Sequence, residues 1–448
     1  MVAVSLKNTN AAEIFDPAIE EFSTLANPLT TLRTEHTATL LPQSETLLVA
    51  GEDSIGVLSS TEMFAPGTES FRPLIPSVDI LRAGHTATGL MDGRILIVGG
   101  QSSGTLGSAE HFDAQPTVIF TPAYDPEQGS FSTLSNTLNL PRWDHTATLL
   151  TDGRILITGG RDDTGLLDSA EVFDPITENF TVLSNSLATS RAEHTATLLP
   201  DGHVLLLGGE SSSGPLVSGE IYDPSTETFS STTITLAAAR TNHTATLLSF
   251  GQILITGGEN TTGILATAEL VTLSSTDTTA PVVFMMQPPS GATDVETTQV
   301  LGVRFSEPVD VTTLTSTHVA LTNGGPVSAT ISAGEQGLMV FVVPDTPLAP
   351  DTTYTLSLSS DITDTAGNHL TPFVGTFTTV KAPTITDIAP TPGMTGTEVT
   401  VTGTNFDSDP NRNQVSLNNI SALVTAASPT SLTFGIPNGA TTGPISVT

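Results

Sequence analysis

The string His-Thr-Ala-Thr occurs five times, beginning at His36, His85, His145, His194 and His243, at intervals of 49, 60, 49 and 49 residues. A unit of that length cannot bury a core alone, whereas copies packed side by side can. A period near 50 with several strand signals per copy predicts sheets arranged as a β-propeller rather than a helical solenoid. Other residues keep the same register. Phe22, Phe71, Phe131, Phe180 and Phe229 each stand 14 residues before a repeat histidine. Glu62, Glu171, Glu220 and Glu269 stand 26 after one, and Glu110 stands 25 after. The longer interval reflects an insertion from about Ala114 to Tyr124.

The third copy shows the plan of one unit. Arg142-Trp143-Asp144-His145 leads into a strand from Thr146 to Leu150, and Asp152-Gly153 is a type I′ hairpin signal. Arg154 to Thr158 is nearly continuous in apolar residues, as a strand covered on both faces requires, and Gly159-Gly160 ends it. Ser169 to Phe173 and Phe180 to Leu183 make the third and fourth strands, joined at the Asp174-Pro175 turn. The chain opens with third and fourth strands and leaves the repeat after a third strand near Leu273. Five blades closed by mixed ends, or six with Val2 to Ser5 as a remnant strand, both satisfy this pattern.

The Gly-Gly pair after the second strand and the Ala-Glu-x-Phe-Asp-Pro string resemble kelch repeats, particularly bacterial ones, over residues 11–273. The first copy departs with Ala50-Gly51, and Trp143 alone stands for the tryptophans of eukaryotic members. Beyond the polar stretch Ser274 to Pro281, Val303-Arg304-Phe305-Ser306-Glu307-Pro308-Val309 and Asp364-Thr365-Ala366-Gly367-Asn368 resemble bacterial Ig-like domains, with seven alternating runs suited to a sandwich. From Ala382, Thr384-Ile385-Thr386-Asp387-Ile388-Ala389-Pro390 and Val399-Thr400-Val401-Thr402-Gly403-Thr404-Asn405-Phe406 resemble an IPT/TIG domain, apparently truncated. The expected organisation is all-β: a kelch-like β-propeller over 1–275, an Ig-like sandwich over 280–380 and a second Ig-like domain over 382–448.

A net charge of −33, with Lys7 and Lys381 the only lysines, repels phosphate backbones and anionic head groups. Nucleic acid and membrane insertion are therefore not expected. The chain has no cysteine, which removes disulfides and thiolate zinc sites. It also removes the cysteine–tyrosine copper cofactor of galactose oxidase, the enzyme on a similar scaffold. The segment carries no signal-peptide pattern, and its ends suggest a piece of a longer chain. The resemblances imply an extracellular or cell-surface binding and adhesion protein that presents a propeller face to a protein or glycan on Ig-like spacers. The rival readings are a secreted carbohydrate-active enzyme with its site in the propeller mouth, and a ligand-free spacer.

Candidate residues fall into four sets. Arg33, Arg82, Arg142, Arg191 and Arg240 each precede a repeat histidine by three and are expected to pair with Glu62, Glu110, Glu171, Glu220 and Glu269 through bidentate bonds in a crowded rim. The five histidines are read as blade geometry rather than a metal ring. Trp143 with Asp144 forms a candidate stacking platform for a ligand, and the inserted Val118-Ile119-Phe120 a candidate partner contact. Asp407, Asp409 and Asn411 have the alternate spacing of a calcium loop but lack its glycine, so calcium is the one cofactor entertained.

Overall fold

The computed structural model describes residues 2–4, 12–16, 21–74, 77–113, 129–248, 252–272, 277–410 and 413–447. Four repeats form complete four-stranded antiparallel sheets, each meandering in chain order. The third copy contributes Thr146–Leu149, Ile155–Thr158, Ala170–Asp174 and Asn179–Val182. Second strands are the driest: all four positions of Ile95–Val98, Ile155–Thr158 and Val204–Leu207 are buried. The phenylalanines 14 residues before the last four repeat histidines each meet an aromatic on the third strand. Phe64–Phe71, Phe112–Phe131, Phe173–Phe180 and Tyr222–Phe229 have ring centroids 4.7 to 4.9 Å apart, the cross-strand aromatic pair that closes a blade's outer edge.

The Asp152-Gly153 turn is not type I′, because only Gly153 has positive φ, at 90°. Gly153 N donates to Leu150 O and Leu150 N to Arg154 O, so a type I turn ends in a glycine bulge. Three-stranded sheets flank the complete ones. At the start, Val2–Val4, Ala12–Asp16 and Glu21–Thr24 pair in order. At the far side, Thr241–Leu248, Gln252–Asn260 and Ala268–Thr272 pair, with Gly263–Ile264 folded back on the middle strand. Among the described residues the early fourth strand pairs with its own third strand and not with the last sheet, so the mixed-end closure is not seen among them.

After Pro281 two sheets build the first Ig-like domain. Val283–Gln287, Leu301–Phe305, Met339–Pro344 and Ala329–Gly334 make one; Ala292–Val295, Phe373–Thr379, Thr353–Leu358, Val319–Thr322 and Pro326–Val327 make the other. They share a core that includes Val303, Phe305, Val340, Leu356 and Phe377. Residues 384–447 form a second pair of sheets around Val401, Leu432 and Phe434.

The propeller face bearing the first-to-second-strand turns packs against the first Ig-like domain. Leu90, Leu149 and Leu150 share an apolar cluster with Val300, Leu338, Met339 and Phe341. Gly89 N donates to Glu335 Oε1 at 2.6 Å and Ser332 Oγ to Pro42 O at 2.6 Å. Strands alternate in direction, so the Gly-Gly ends and the Arg-x-x-His segments lie at the opposite face, away from this contact.

Candidate functional site

The repeat arginines and the first four repeat glutamates are buried completely or nearly so, and Glu269 is partly buried. Arg33 Nη2 lies 2.9 Å from Glu62 Oε1, Arg82 Nη2 2.5 Å from Glu110, Arg142 Nη2 3.2 Å from Glu171, Arg191 Nη2 2.8 Å from Glu220 and Arg240 Nη2 2.8 Å from Glu269. Each pair lies within one repeat. The bidentate fork expected from sequence is absent, because the guanidinium has other acceptors. Arg142 Nη1 donates to Gly159 O at 2.8 Å and Ser169 O at 3.0 Å, while Glu171 also accepts from Asn139 N and Leu140 N. One pair thus fastens the loop before the first strand to the ends of the second and third. Neighbouring repeats join beside it, since Gly160 N donates to Arg191 O at 2.8 Å. Gly159 has φ of 60°, and a Cβ there would lie 2.3 Å from Arg191 O, which explains the glycine.

The histidines tie adjacent inner strands together. His85, His145, His194 and His243 place Nε2 2.9 to 3.1 Å from the hydroxyls of Thr37, Thr86, Thr146 and Thr195, each in the preceding repeat. Burial, then the repeat arginine three residues earlier, holds His85, His145 and His194 well below the usual imidazole range and takes His243 down to about 4. These rings are neutral links near pH 7.

A different set converges at the mouth. The residue before each histidine has positive φ: Glu35 (51°), Gly84 (62°), Asp144 (52°), Glu193 (53°) and Asn242 (53°). Their peptides are chained from sheet to sheet. Gly84 N donates to Glu35 O at 3.1 Å, Asp144 N to Gly84 O at 2.9 Å, Glu193 N to Asp144 O at 3.0 Å and Asn242 N to Glu193 O at 3.1 Å. Left-handed backbone at three carboxylate residues is unfavourable and concentrates at places that use it. A Cβ on Gly84 would lie 2.7 Å from Asp144 Oδ1, so the glycine leaves room for that carboxyl.

Arg161 crosses this lip. Its guanidinium carbon sits 4.9 Å from the Trp143 ring centroid, Nη2 lies 2.7 Å from Glu193 Oε1 and 3.1 Å from Glu210 Oε2, and Nε lies 3.3 Å from Asp144 Oδ2. Trp143 and Asp144 are therefore brought together, with Arg161 stacked on the indole. Burial and then the Glu193 carboxylate push Asp144 up to about 7, Glu35 adding and Arg161 opposing. Sequence reading missed Glu35, Glu193, Glu210 and Arg161. Their shared signal is position, immediately before the histidine or after Gly-Gly, but residue type changes from copy to copy.

Val118, Ile119, Phe120 and Asn411 lie outside the described residues. Asp407 Oδ1 accepts from Asp409 N at 2.7 Å, and Asn413 Nδ2 donates to the carbonyls of both residues. Asp407 and Asp409 thus share a turn pinned by Asn413. Three carboxylates do converge elsewhere among the described residues, at Asp277, Glu307 and Asp364. Burial, followed by Asp277, raises Glu307 to about 9.

Sequence comparison divides the chain in the same order. A Kelch motif matches residues 144–186, a Bacterial Ig-like domain 277–379 and an IPT/TIG domain 383–448. No curated protein matches the chain. A solved structure titled "Structure of YjhT" aligns with 59% of this chain and 89% of its own, at 14% identity and a TM-score of 0.49. The chain is thus an all-β protein in which kelch-type propeller repeats precede a bacterial Ig-like domain and an IPT/TIG domain.

Proposed function

We propose that this chain is an extracellular or cell-surface binding protein whose propeller mouth receives a cationic group of a protein partner, with the Ig-like domains as spacer. The observation that carries this reading is the carboxylate lip of Glu35, Asp144, Glu193 and Glu210 around Trp143, where Arg161 already occupies an aromatic and acidic cradle. A lysine or arginine from a partner would meet the same chemistry. The opposite face is taken by the first Ig-like domain, which leaves the mouth for recognition. Kelch and IPT/TIG modules generally bind proteins, and a charge of −33 steers basic partners toward the surface. Titration of the full chain with a lysine-rich peptide tests this. Affinity should fall steeply with salt and drop about tenfold in E35Q/E193Q/E210Q; equal affinity for a glutamate-rich peptide would sink the reading.

One observation favours the enzymatic rival. Asp144, held near pH 7 beside Glu193, is poised as a proton donor next to an aromatic ring, as a glycan-cleaving site requires. Hydrolysis of an oligosaccharide by the wild-type chain, abolished in D144N, would establish it.

A further inference from the structure

We propose that Asp277, Glu307 and Asp364 bind a divalent cation, calcium by their chemistry, which clasps the segment leading out of the propeller onto the first Ig-like domain. The three residues come from separate segments. Asp277 precedes the Val283–Gln287 strand, Glu307 follows Leu301–Phe305, and Asp364 lies in the loop whose Thr363 bridges His369. One oxygen from each lies within 4.8 Å of the others. Ligands on opposite sides of one calcium ion, each at about 2.3–2.6 Å, stand about 4.6–5.2 Å apart, so a single ion can reach all three.

The group is short of positive charge. Glu307 is 3% exposed and Asp364 1%, and no Lys, Arg or His pairs with any of the three among the described residues. Glu307 Oε2 and Asp277 Oδ2 accept from no N–H or hydroxyl donor among them, the two carboxyl groups facing each other instead. A buried, unpartnered carboxylate oxygen facing two further carboxylates is strongly disfavoured unless a cation or a proton joins it. One residue beyond Asp364, the buried Thr365 hydroxyl is likewise unpartnered among the described residues.

The remaining oxygens are already held in place. Asp364 Oδ1 accepts from Ala366 N and Asn368 N at 2.8 Å each, and its Oδ2 from Asn368 Nδ2 at 2.7 Å. The same amide reaches Asp277 O at 3.3 Å, and Asp277 Oδ1 accepts from Thr279 N at 2.9 Å. A donor set of oxygens alone, with no nitrogen or sulfur, selects a hard cation over zinc or copper. Calcium, which takes six to eight oxygens at about 2.3–2.6 Å in flexible geometry, is favoured over magnesium, which demands a near-ideal octahedron.

The test is calorimetric titration of calcium chloride into the chelator-treated full chain, with melting followed in calcium and in EDTA. Wild type should bind calcium and melt several degrees higher with it. E307Q should weaken calcium binding about tenfold or more and lose that rise, while melting in EDTA no lower than wild type, because neutralising Glu307 relieves its repulsion. D364N supplies an independent second variant. Identical wild-type melts in calcium and EDTA would mean that a shared proton holds the group, and would overturn the proposal. So would a calcium-dependent rise as large in E307Q as in wild type.

Discussion

Buried charge is handled in opposite ways in the propeller and in the first Ig-like domain. In the propeller each fully buried repeat arginine has a carboxylate in the same repeat, and that carboxylate also satisfies backbone N–H groups. In the Ig-like domain Arg304, Glu307 and Asp364 are as deeply buried, yet the two carboxylates gather with Asp277 rather than with the arginine. Arg304 stacks on Phe284 at 4.8 Å, and its Nε and Nη2 have no partner among the described residues. A completed pair has its valence met and serves as a fastener, whereas an incomplete group is a place where a proton, an ion or a ligand can enter. The mouth lies between these limits, with the carboxylates of Asp144, Glu193 and Glu210 sharing the Arg161 guanidinium.

The comparison breaks most visibly where a fastener is cut. Glu171→Ala leaves Arg142 buried without its carboxylate and strands two backbone donors, so urea unfolding should show a loss of about 3–5 kcal/mol. The paired replacement R142M/E171L should cost clearly less, since no orphaned charge remains.

Asp144 gives the next effect. Its carboxyl titrates near 7 in the fold against 3.8 otherwise, so the native chain holds the extra proton between those values. Its contribution is complete below pH about 4 and disappears as pH rises through 7. The stability of wild type relative to D144N should therefore fall by about 4 kcal/mol across that window.

Glu335, at the contact between propeller and Ig-like domain, behaves in the same direction. Burial raises it from 4.5 to about 7, and the N–H of Gly89 only partly opposes this. Relative to E335Q, the wild-type chain should lose about 3 kcal/mol between pH about 4.5 and 7, read from the unfolding midpoint. At the bottom of the scale stands the half-exposed Arg154–Glu227 pair. Glu227→Ala should change stability by less than about 1 kcal/mol, a difference that salt erases.

Much of the propeller was legible because repetition writes geometry into spacing. The phenylalanine at −14, the glutamate at about +26 and the Gly-Gly pair each answer to one contact made again in every copy. The arginine–glutamate partnership could be read from that register, but not its single-pronged form, which depends on carbonyls that only the folded loops bring near. The mouth was legible only through Trp143 and Asp144. Glu35, Gly84, Asp144, Glu193 and Asn242 share a backbone conformation and a place, not a residue type, so no pattern announces them. Asp277, Glu307 and Asp364 stand 30 and 57 residues apart with nothing repeating. The Ser-Glu-Pro and Asp-Thr-Ala-Gly-Asn strings that carry two of them signalled a domain type, while their acidic members gave no sign that they would meet.

The division between fastening charges and receiving charges is tested most directly by measuring unfolding free energy and lysine-peptide affinity on the same two full-length variants, E171Q and E193Q. The account predicts a crossed result: E171Q loses stability while its folded fraction binds as wild type does, and E193Q keeps its stability while binding weakens. Parallel behaviour, with both variants losing stability and neither losing affinity, would contradict it.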